Sequence, residues 1–81
     1  MMNPMHRRAM IEDHLAQAER HVTAGERCIA QQRARVAALG RDGHDTTESL
    51  LLLGQFQEVQ ELHVADRDRL RKELAECGPL R

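Results

Sequence analysis

The side chains of this chain best suited to hold a metal ion or pass a proton are His21, His63 and Asp66. His63 and Asp66 lie in QELHVADRDRLRKEL, residues 60–74, where i,i+3 spacing puts them one turn apart on one helix face. Imidazole nitrogens and carboxylate oxygens are zinc ligands, and helical bundles build metal centres from such groups on facing helices. His21 can join them only if an earlier helix folds back alongside. The set lacks Glu-x-x-His spacing, and each helix supplies few ligands. The competing reading is structural: His63 hydrogen-bonds across a hairpin, Asp66 pairs with an Arg or His, and with Gln32 they fix helix register at some cost in stability.

The elements that must carry these residues are two long helices. Asn3 can cap the first, and Pro4 suits its first position because the N–H it lacks would be unpaired there. An apolar stripe follows at Ile11, Leu15, Ala18, Val22, Gly25, Ile29, Gln32, Val36 and Leu39, in alternating steps of four and three. This is the rhythm of a coiled coil. The spacing predicts helix over about residues 4–39, stopped by Gly40 in the left-handed conformation. GRDGH, residues 40–44, is turn chemistry. Asp45 and Glu48 form a capping-box pattern that opens a second helix over about residues 46–76, and Cys77-Gly78-Pro79 ends it. A link of this length makes the helices antiparallel. The fold class expected is all-α, a single antiparallel two-helix hairpin of coiled-coil type that dimerises into a four-helix bundle.

The second stripe is less regular: Leu52, Phe56, Val59, Leu62 or His63, Asp66, Leu70, Leu74. Four leucines stand in a row at 50–53 and cover most of the helix circumference, more than one partner helix can bury. Leu50, Leu51, Leu53 and Phe56, with Ile29 and Val36 on the first helix, are therefore the expected interaction interface. The turn end is expected to pack tightly and the charged open end loosely. Antiparallel positions should sum to about 85, which sets His21 level with His63 and His14 near Asp68 and Arg71. Gly25 then faces residues 59–60, one turn from Phe56. A helix-interior Gly costs about 1 kcal/mol against Ala, so it should make room for Phe56, a close helix crossing or a partner's side chain.

Composition narrows the function classes. The chain has 81 residues, so an isolated monomer is marginal, and its one aromatic ring of the Phe, Tyr and Trp class is Phe56. The formal net charge is −1, which announces no polyanionic partner. Arg67, Arg69, Arg71 and Lys72 alternate with Asp66, Asp68 and Glu73, as on a solvated salt-bridged face, so nucleic acid is not the expected partner. Cys28 and Cys77 form no C-x-x-C pattern; Cys28 reads as a small packing residue and Cys77 as the more exposed thiol. No signal-peptide run and no membrane span are visible, and a cytoplasmic protein with reduced thiols is expected. There is no Ser/His/Asp set, no phosphate loop and no enclosed carboxylate pair, so neither an enzyme nor a cofactor is expected.

LAQAERHV, IAQQRARVAALGRDGHDTTESLLLL and LHVADRDRL together resemble a group of short bacterial helical-hairpin proteins of unassigned function. The similarity lies in the A-E-x-H and Q-R features of the first helix and the G-H-D-T turn, over most of residues 11–74. It implies a bacterial helical hairpin and carries no activity. The function expected is that of a non-enzymatic interaction module, an adaptor or small regulator; the alternatives are a metal- or ligand-responsive bundle using His21, His63 and Asp66 and, more remotely, a nucleic-acid accessory.

Overall fold

The computed structural model describes residues 3–78 and consists of two antiparallel helices, α1 (Pro4–Arg41) and α2 (Thr47–Glu76). They form a rod of 62 × 16 × 14 Å. Asn3 opens α1 as expected: its side-chain oxygen accepts the His6 N–H at 2.9 Å, and Pro4 follows at the first helical position.

The end of α1 differs from the expectation. The helix runs through Gly40 to Arg41, and Gly43, not Gly40, takes the positive φ of 78°. The His44 N–H donates to the Leu39 carbonyl at 2.9 Å, and the Gly43 N–H to the Gly40 carbonyl at 3.2 Å. This is a Schellman motif with Asp42 as C-cap, and it needs glycine at the position after the cap. Both glycines fit a helix stop by type; the one that can be followed by a return link to α2 takes the role.

The start of α2 also departs from the capping box. Asp45 accepts from the Thr47 backbone N–H at 2.9 Å and from the Thr47 hydroxyl at 2.7 Å, an Asx turn just ahead of the helix. Thr46 occupies the cap position, its side chain makes no capping bond, and Glu48 supplies first-turn negative charge rather than a return bond. The side-chain and backbone bonds from Thr47 hold the Asp45 carboxyl below the usual carboxylate range. At the other end Gly78 has φ 70°, while Pro79 lies outside the described residues.

Every position of the α1 stripe, Ile11 through Leu39, is buried or half-buried, as its spacing predicts. The core, however, sits at the open end. Ile11, Ala18 and Leu70 form the buried cluster, with Leu15, Leu74 and Cys77 packed against it, and Val22 is buried further along. No large side chain is completely enclosed among the described residues. Arg8 closes this end: its guanidinium donates to the Gly78 carbonyl at 2.6 Å, at the negative end of α2, and pairs with Glu12 at 3.1 Å. The expectation of a tight turn end and a loose open end is thus reversed. The turn end is joined covalently and by backbone caps, whereas the open end has only side chains to hold it.

Candidate interaction surface

The residues of α2 that face α1 are Ser49, Leu53, Phe56, Gln60, His63, Arg67, Leu70 and Leu74, continued by Cys77 at its C-cap, all buried or half-buried and again in alternating steps of four and three. Their middle is polar. Of the expected stripe, Phe56, the His63 alternative, Leu70 and Leu74 face α1, whereas Leu52, Val59, Leu62 and Asp66 do not: Val59 is 48% exposed and Leu62 70% exposed. Following apolar residues alone shifts the phase by one position, because Gln60, His63 and Arg67 occupy the seam while Val59 and Leu62 look outward.

Three contacts hold this polar seam. The Gln32 amide donates to the Ser49 carbonyl at 2.9 Å and is buried. The Gln60 amide donates to the Val22 carbonyl at 2.9 Å. The imidazoles of His21 and His63 approach with ring centroids 5.1 Å apart, tilted by 46°. The pairs Gly25/Gln60 and His21/His63 realise the expected register near 85. Gly25 is explained by Gln60 rather than Phe56: a Cβ at residue 25 would overlap the Gln60 amide, with its carbon only 2.6 Å away. The Gln60 Oε1 is buried over Gly25 with no hydrogen-bond partner among the described residues.

Asp66 does not join the histidines. Its carboxylate pairs with Arg69 at 2.6 Å, and Arg69 also binds Glu73 at 2.7 Å. Those bonds, the one to Asp66 foremost, raise the Arg69 pKa further. Among the described residues no three His, Cys, Asp or Glu side chains converge as a metal-binding group. The metal set His21, His63 and Asp66 is thus corrected to a histidine pair, because a guanidinium at i+3 is nearer to Asp66 than the seam is. Two further arginines of α2 are also engaged, Arg67 with Asp68 at 3.1 Å and Arg71 with Glu19 across the helices at 3.6 Å.

The apolar residues excluded from the seam define a surface. Leu51 is 65% exposed and Leu50 50% exposed, while Leu53, Ile29 and Val36 are half-buried along the seam. Phe56 floors a groove of about 330 Å³ walled by His21, Ala24, Cys28, Val59 and His63. A second groove of about 480 Å³ continues it toward the turn past Gln31, Arg35 and Leu52. Cys28 is exposed on this groove and Cys77 is half-buried against the core, the reverse of the expectation for the two thiols. The groove was missed in the sequence because its walls come from both helices; the signal available was the i,i+7 recurrence of Leu52 and Val59 beside the true seam. Among the described residues no helix is long and apolar enough to cross a membrane. No protein-family model, curated protein or solved structure matches the chain, so its function is argued from this surface.

Proposed function

We propose that the hairpin is a non-enzymatic protein–protein interaction module, an adaptor or small regulator, that first completes its own core by dimerising into a four-helix bundle. The observation that carries this reading is the outward placement of Leu50, Leu51, Val59 and Leu62 on a rod whose polar seam buries few large side chains. Soluble monomers of this size seldom leave so many large apolar side chains in solvent without a partner for some of them. Of the residues expected at the contact, Phe56 opens onto the groove with Leu52 and Val59, whereas Ile29 lines the opposite side of the hairpin with Val64, so this reading places the contact at the Phe56 groove.

The test is solution mass by light scattering behind a sizing column, in reductant, over a range of concentrations. A concentration-dependent dimer supports self-association; a folded monomer throughout overturns it. The competing metal-responsive reading rests on the His21–His63 pair. Calorimetric titration with Zn²⁺ separates the two: tight stoichiometric binding that disappears in His63→Ala favours the metal reading.

A further inference from the structure

The side of the hairpin that carries the Phe56 groove has an uneven distribution of charge and size. On α1 the i,i+7 row beside the seam is Arg7, His14, His21, Cys28 and Arg35, with no acid in it. On α2 the matching row is Leu52, Val59, Asp66 and Glu73, with no base in it. Arg69 bridges the two acids and leaves that group a net negative charge. Between the longer His21 and Arg35, α1 offers the small Ala24 and Cys28 to the middle of the groove, level with Val59 and, toward the turn, Leu52 of α2.

Two copies can stack groove to groove about two different two-fold axes. An axis across the rod puts the turns at opposite ends and lays α1 on α1, so the arginine-bearing row meets itself and small residues meet small. An axis along the rod puts the turns together and lays α1 on the α2 of the second copy. Arginines and histidines then oppose the acidic row, and Leu52 and Val59 enter the space left by Ala24 and Cys28. The register near 85 brings Cys28 level with Phe56 and Val59 of the second copy, and His14 level with the stretch between its Asp66 and Glu73. The area agrees. A compact monomer of 9.3 kDa exposes about 5,000 Å², whereas this rod exposes 6326 Å². The excess exceeds the ~800 Å² that each partner contributes to a standard interface.

We infer that the occupant of the Phe56 groove is a second copy of this chain, docked through the same groove with both turns at the same end. This rests on the dimer reading above and adds its face and its polarity. The tests use the full chain. In a Cys28→Ala/Cys77→Ala background, His44→Cys carries a spin label on the exposed turn, and pulsed dipolar spectroscopy measures the label-to-label distance. Turns together give roughly 20–25 Å, about two helix diameters; turns at opposite ends give roughly 40 Å or more, which overturns the polarity. Val59→Asp should weaken the dimer by roughly tenfold or more, since it buries an unpaired charge in the groove. Val64→Asp, on the opposite side of the rod, should change it by no more than about threefold; the reverse ranking overturns the choice of face. Light scattering on the same samples separates the two levels, because a monomer refutes dimerisation itself, whereas a dimer with distant turns refutes only this arrangement.

Discussion

At the open end of the hairpin, Ile11, Ala18 and Leu70 are covered by Leu15, Leu74 and Cys77, and Arg8 ties the second turn of α1 to the Gly78 carbonyl just past α2. At the turn end backbone hydrogen bonds close α1 and an Asx turn leads into α2, yet Leu50 and Leu51 stand in solvent and the buried seam residue is Gln32. The difference follows from connectivity. The turn already supplies proximity, so a Schellman motif and an Asx turn suffice to hold it and its leucines are left for another molecule. The open end has no such link, and only packing prevents it from fraying.

The largest expected effect tests that division directly. Leu70→Ala should cost about 2–4 kcal/mol in denaturant unfolding, as a cavity in the one closed cluster. Leu51→Gln should move the same midpoint by less than about 0.5 kcal/mol. Equal losses at the two sites would break the comparison.

The next effect lies between the two ends. Gly25→Ala gains helix propensity but drives a methyl into the Gln60 amide, and a net loss of about 1–2 kcal/mol is expected. The double variant Gly25→Ala/Gln60→Ala should recover most of it, and a double-mutant cycle in thermal unfolding reads the coupling. Additive losses would mean that Gly25 serves some other neighbour.

Arg8→Ala comes next, at about 1 kcal/mol for a charge-assisted bond to a carbonyl at a helix C-terminus. Hydrogen exchange should show the loss confined to the final turn of α2. Faster exchange near residues 46–50 instead would mean that the ends are not independent.

The smallest effect concerns Asp45. Its folded pKa is depressed, so the stabilisation is complete above the ordinary carboxylate range and is lost as pH falls through the lowered value. Asp45→Asn should flatten that acid limb in a far-ultraviolet dichroism titration, and an unchanged profile would remove Asp45 from the account of the turn.

The α1 stripe was fully legible because all but two of its nine positions, Gly25 and Gln32, carry an apolar side chain. The α2 stripe was not, because Gln60, His63 and Arg67 face inward while Val59 and Leu62 face out. Which phase wins depends on what α1 presents opposite: the space above Gly25 accepts an amide, and the Val22 carbonyl accepts its hydrogen bond. The three-residue metal set failed for a local reason, since Asp66 pairs with a guanidinium one turn along its own helix rather than with His63 beside it and His21 across the seam.

The amino-acid sequence by itself determined two helices, the Asn3-Pro4 start of the first, their antiparallel course and a register near 85, because these depend on local propensity and chain length. Only the tertiary structure decided which face of α2 meets α1, which end holds the core, which glycine turns the chain and where the Phe56 groove opens. Those outcomes are set by contacts between residues far apart in the chain, where one amide over one glycine outweighs the apolar pattern on either side.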